Sequence, residues 1–227
     1  MLLLHCSCTL SEIETPAVKI APKVAKKAGA HQPPETTEPK EAKAPSPKVT
    51  LELTPYFEGT SAFHAFLAKN WSLAAKEFQA WLGANPGSKL KLKAQLLLHV
   101  SQLYSGQTDL AAAGFVSLLG RMGELNEHCR LLAAEARLRQ KKYGKVLTNL
   151  DALKDVDFGQ KHRVSYMYAH ALAGQKTWAK AANAYAKHLE RYPSALPGVW
   201  MAAAESLTRV GQRKEAAKHF RQVLVRF

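Results

Sequence analysis

Charged and aromatic residues recur at helical spacing through the C-terminal half of this chain. They are His128, Glu135 and Arg139, then Arg163, Tyr166 and His170, then Met201, Glu205 and Arg209. Guanidinium groups present paired donors to carboxylates and phosphates, and a tyrosine presents a flat apolar face with a polar tip. On one face of a row of helices, such groups suit an anionic or sugar-bearing partner. These are the candidate partner-binding residues, and a solvated helix face is the plain alternative for them.

Binding is the chemistry the sequence offers, because the spacings needed for catalysis are missing. The nine histidines make no metal set, and His162, His170 and His188 lack the H-E-x-x-H spacing. Cys6 and Cys8 form C-x-C rather than C-x-x-C, and Cys129 sits in a helical pattern as a small core residue. No phosphate-cradling G-x-x-x-x-G-K-[ST] and no G-x-S-x-G nucleophile elbow occurs. The expectation is therefore no catalytic residue, no cofactor and no metal. The basic runs KKAGAHQ and RQKKYGK fall in a linker and a turn, so no nucleic-acid partner is expected.

The elements that position these residues come from an internal repeat. Aligned on a small residue after a turn, five units superpose on Ala74, Ala111, Val146, Ala181 and Ala216, with spacings of 37, 35, 35 and 35. Three residues earlier stand Trp71, Thr108, Tyr143, Trp178 and Arg213. Four residues later stand Phe78, Phe115, Leu150, Tyr185 and Phe220, and eight later Leu82, Leu119, Lys154, Leu189 and Leu224. The third unit breaks the last series, with Lys154 in the apolar place and Leu153 one position early. Pro86 and Pro193 close helices, and Gly106, Gly174 and Gly211 mark the turns between the two helices of their units, where glycine easily reaches a positive φ angle. A small residue lets two helices approach, and the aromatic one turn on fills the gap to the next unit. Counting back 18, 15, 11, 8 and 7 residues from the aligned positions gives the partner-binding candidates. The same rule in unit two gives Leu96, Val100 and Leu103, which look like core.

Outside the repeats the composition changes. Residues 11–55 read as an Ala/Pro/Lys-rich disordered linker, with seven of the eleven prolines between 11 and 50 and no aromatic there. Residues 1–10, MLLLHCSCTL, read as the remnant of an export signal. Of the net charge of +14, residues 11–50 supply +2, leaving +12 on the repeat region. That balance favours acidic partners or serves as a solvated surface. The last unit stops at Phe227, one residue short of the place where units one and four have proline, so the sequence is expected to be truncated at its C-terminal end.

A period near 35 with these positions resembles the tetratricopeptide repeat. The resemblance covers about residues 60–227 and implies an all-α, right-handed α-solenoid of about five helix pairs. Trp200, Ala203, Ala204 and Leu207 stand where that family's first-helix pattern has Trp, Leu, Gly and Tyr, whereas units two to four match it poorly. The run YAKHLERYPSALPGVWMAAAESLTRVGQRKEAAKHFRQVLVRF resembles repeats of bacterial envelope proteins, among them the N-terminal helical region of soluble lytic murein transglycosylases. TPYFEGTSAFHAFLAKNWSLAAKEF resembles the start of that region. The resemblance implies a periplasmic or cell-envelope scaffold with a protein or peptidoglycan partner, or alternatively the helical portion of a transglycosylase whose lysozyme-like domain lies outside this chain. A cytoplasmic adaptor is the third reading. Glu205-Ser206 is followed by LTRVG inside a repeat helix, so no catalytic acid is assigned to it.

Overall fold

A computed structural model describes residues 57, 59–156 and 159–226, and every regular element among them is helical. The stretch 1–10 and the linker 11–55 lie outside the described residues. Ten α-helices follow in pairs: α1 (Ser61–Leu67) and α2 (Trp71–Ala84), α3 (Lys91–Tyr104) and α4 (Thr108–Leu118), α5 (Asn126–Arg139) and α6 (Tyr143–Asp151), α7 (Lys161–Gly174) and α8 (Trp178–Arg191), α9 (Pro197–Val210) and α10 (Arg213–Arg226). A short 3-10 turn, Gly123–Leu125, precedes α5. Each helix packs on the next in sequence, so the pairs stack as an α-solenoid.

The repeat positions set where the second helices begin. All five start on the residue three before the aligned small residue: Trp71, Thr108, Tyr143, Trp178 and Arg213. Local chemistry helps at some ends. The Thr60 and Asn70 side chains accept from the Phe63 and Leu73 amides at the starts of α1 and α2, and Pro197 begins α9, where its missing N–H costs nothing. Pro86 and Pro193 follow α2 and α8 directly after their C-caps, Asn85 and Tyr192.

Burial follows the same ruler. Ala74, Ala111, Val146, Ala181 and Ala216 are buried, and so are Phe78, Phe115, Leu150 and Tyr185 four residues on. The fifth member of that series, Phe220, is 43% exposed, because among the described residues no further first helix covers it. Unit three accommodates its irregularity by a one-residue shift: Leu153 is buried at 1% exposure while Lys154 points outward. Its second helix, α6, has only 9 residues against 14 in α2, α8 and α10. Cys129 is fully buried, and burial pushes its thiol up to about 11, which keeps it un-ionised and inert.

The left-handed turns inside the pairs are also periodic. Lys69, Gly106, Lys141, Lys176 and Gly211 have φ of 57, 87, 57, 60 and 88°. They all lie five residues before the aligned position. Gly174 is therefore not the turn glycine of unit four. It ends α7 in helical conformation, and Lys176 adopts the left-handed angle. Gly174 is glycine for space: a Cβ there would stand 2.3 Å from the Tyr143 ring. The first helices of units two to four, which match the repeat pattern poorly, nevertheless form 14 residues each.

Among the described residues no helix is long and apolar enough to cross a membrane, and no group of three His, Cys, Asp or Glu is placed to hold a metal ion.

Candidate partner-binding strip

First helices of successive units touch one another, α3 with α5, α5 with α7 and α7 with α9, so their shared face runs continuously along the repeat. One contact recurs at the unit boundaries. The residue that opens a second helix meets the residue seven before the next aligned position. Trp71 packs on Tyr104 with ring centroids 5.1 Å apart, Tyr143 covers Gly174, and the Arg209 guanidinium lies 5.6 Å from the Trp178 ring centre. At the remaining boundary Thr108 has no ring to offer. There the Gln140 amide donates to the Thr108 carbonyl at 2.7 Å, and Arg139 turns back over Tyr104 at 5.1 Å.

The sequence-predicted residues fall into two groups and a single exposed side chain. In the first group, Glu135 accepts from Arg139 at 2.9 Å within its own helix and from Arg163 of the next unit at 2.6 Å. Its side chain is only 15% exposed, so the two guanidiniums hold an acid that would otherwise be poorly solvated. Arg139 also donates to the Leu103 carbonyl at 3.3 Å, which fastens units two and three together. His128 joins this group through Arg163. Burial lowers its pKa, Glu127 opposes that and Arg163 adds to it. Because both arginines share one carboxylate, this group is less cationic than its arginine content suggests.

In the second group, Tyr166 and His170 stack with centroids 5.8 Å apart, and the His170 Nδ1 lies 3.3 Å from the Tyr185 hydroxyl. Burial lowers the His170 pKa and raises those of Tyr166 and Tyr185, and the Glu205 charge adds to the effect at Tyr185. Glu205 pairs in turn with Arg209 at 3.6 Å, both more than half exposed. Met201 stands apart, 44% exposed. In unit two, Leu96 and Leu103 are buried and Val100 is half-buried, so that stretch is core. Ser206 donates to the Ala202 carbonyl at 2.8 Å as an ordinary helical serine, and Glu205 is held by Arg209.

No family model matches this chain, and no curated protein matches it. Solved structures do. MamA 41-end from Desulfovibrio magneticus RS-1 superposes with a TM-score of 0.62 at 17% identity, over 72% of this chain and 89% of that one. The MamA RS-1 ArsTM double mutant gives 0.63 at 17% identity, over 72% and 88%. MamA AMB-1 gives 0.61 at 17% identity, over 74% and 95%.

The fold is that of MamA.

At these identities the likeness concerns fold alone: a tetratricopeptide-like solenoid. It lends no support to the murein transglycosylase resemblance. Within this MamA-like solenoid, three contributors to the strip escaped the sequence reading: Tyr104, Trp178 and Tyr185. Trp178 and Tyr185 were legible only as repeat aromatics, and their second role depends on which side chain the neighbouring unit places seven or eleven residues before its own aligned position. Tyr104 occupies that first position in unit two, so the repeat ruler contained the signal.

Proposed function

We propose that this chain is a non-catalytic helical-repeat scaffold that holds a protein partner along the first helices of units three to five. The carrying observation is the strip itself. Glu135, Arg139 and Arg163 link units three and four, Tyr166 and His170 continue the face, and Arg209 closes it beside exposed Met201. A partner segment lying across these units would place acidic groups against Arg139 and Arg209 and an apolar side chain against Met201. Pre-set side chains limit the entropy lost when it binds.

A bacterial cell-envelope setting and a peptidoglycan partner form the finer reading. They are supported by the sequence resemblance of Tyr185–Phe227 to envelope repeats and by the tyrosine of the strip, whose face suits a sugar ring. The transglycosylase alternative rests on the same run.

Photo-crosslinkers placed in cells at Met201 and Tyr166, and at Lys145 on a second helix as control, test the scaffold. The reading expects one protein adduct from the two strip positions and none from the control. Adducts of equal yield from all three positions, or none from the strip, would overturn it. Co-sedimentation with purified peptidoglycan, compared between the wild-type chain and the Arg139→Glu, Arg209→Glu pair, separates a wall partner from a protein partner.

A further inference from the structure

A cleft lies away from the strip. It opens between the end of unit three and the two helices of unit four, with a volume of about 460 Å³. That lies within the range of small-molecule sites, about 300–1,000 Å³. Five cations line it, Lys154, Lys161, Lys180, Lys187 and Arg191, and no carboxylate among the described residues does. Lys180 and Lys187 make no ion pair among the described residues, while Lys154 is held by Asp151. The cleft lies on the other side of α7 from the strip: Tyr168 lines it, and Tyr166 belongs to the strip, two residues or about 200° of helix away.

The lysine pattern of this cleft is peculiar to unit four and the end of unit three. The place of Lys154 is leucine in all four other units, Leu82, Leu119, Leu189 and Leu224. Leu153 takes over the buried role, so the lysine is not needed for packing. Its ammonium stands 4.6 Å from the Tyr168 ring centre at the cleft wall. Lys180 corresponds to Leu73, Leu110, Lys145 and Glu215 in the other units, and Lys187 to Ala80, Ser117, Ala152 and Gln222. Unit four alone carries lysine at both of these places, and with Lys154 three ammonium groups face one cavity. Beneath them, His188 is buried and lies 2.7 Å from the Ser165 hydroxyl, while Asn183 adds an amide at the wall.

We propose that this cleft binds a small oligoanion carrying two or more phosphoryl groups. Ammonium groups bind phosphate as point charges, several converging cations reward a multiply charged ligand over a singly charged one, and the cavity admits a ligand of that size. The phosphoryl groups belong to a free small molecule; a phospholipid headgroup is the other source of the same chemistry. The proposal is independent of the partner-binding strip.

Calorimetry with inorganic pyrophosphate tests it, beside inorganic phosphate and vesicles containing an anionic phospholipid. Pyrophosphate is expected to bind more tightly than phosphate. The Lys180→Ala, Lys187→Ala pair should weaken it about ten-fold or more, since both residues are exposed and alanine is a good helix former. Lys154→Leu, which restores the leucine of the other units, should weaken it without lowering the melting temperature. The equal-charge control pair Lys76→Ala, Lys214→Ala should change nothing. Absence of pyrophosphate binding at millimolar concentration overturns the proposal, as does an equal loss in the control pair. Binding to vesicles but not to pyrophosphate assigns the cleft to a membrane surface and likewise overturns it.

Discussion

The ring of Tyr143 occupies the space that a methyl group on Gly174 would need, 2.3 Å from where the Cβ would lie. Position 174 is helical, and alanine is favoured over glycine in a helix by about 1 kcal/mol. The clash should reverse that preference. Gly174→Ala is expected to destabilise by about 1–3 kcal/mol, the usual cost of forcing a ring to move in a packed site. Gly144→Ala, one helix earlier, meets only the Gln175 amide at 3.7 Å and should stabilise by about 0.5–1 kcal/mol. Urea midpoints of the two variants should shift in opposite directions.

Lysine in a left-handed turn is strained, and glycine is not. Lys141→Gly and Lys176→Gly should each raise stability by about 0.5–1 kcal/mol, because two other units already use Gly106 and Gly211 at that place. Gly106→Ala and Gly211→Ala should lower it. Chemical denaturation of all four variants measures both signs, and a loss on Lys→Gly would show that these lysines hold an unseen structural contact.

The aromatic series predicts a contrast between equivalent positions. Phe115 is fully buried under the next unit, and truncating it to alanine should cost about 3–5 kcal/mol. Phe220 occupies the same repeat position, 43% exposed, and the same truncation should cost less than about 1.5 kcal/mol. Comparable losses in thermal denaturation would mean that the end of α10 is covered in solution.

Stability should decline in acid. Burial lowers the pKa of His99, His170 and His188 below the ordinary 6.5. Above about pH 7 these imidazoles are neutral in both folded and unfolded chains and contribute no pH dependence. As the pH falls through 6.5 the unfolded chain takes up protons that the folded one refuses, so unfolding gains. The decline continues until the native imidazoles titrate. The urea midpoint should therefore drop between about pH 7.5 and about pH 5.5, and His188→Gln should reduce that drop.

Period and local chemistry made the architecture readable. The second helices begin where Trp71, Tyr143 and Trp178 stand, because those residues open the helix and also reach the next unit. The turn at Lys176 was hidden because nothing in a lysine signals a left-handed backbone, and Gly174 nearby offered a false cue. The strip was readable as a set of faces but not as a set of bonds. That Arg139 and Arg163 meet on Glu135 depends on the distance between units, which one helix's periodicity does not contain. The cleft at Lys154 appeared in the sequence only as a broken rule in unit three.

That broken rule has a mechanical side. In a stacked solenoid each unit is held only by its neighbours, so strength is set by the weakest joint. The joint around α6 rests on a 9-residue helix, and Leu153 reaches the core by a one-residue slip. Under a stretching load, the chain should part there first, leaving units one and two and units four and five as separate blocks. An optical-tweezer trace should show that rupture as the earliest step, and amides of Tyr143–Asp151 should exchange with deuterium before those of α2, α4 and α8.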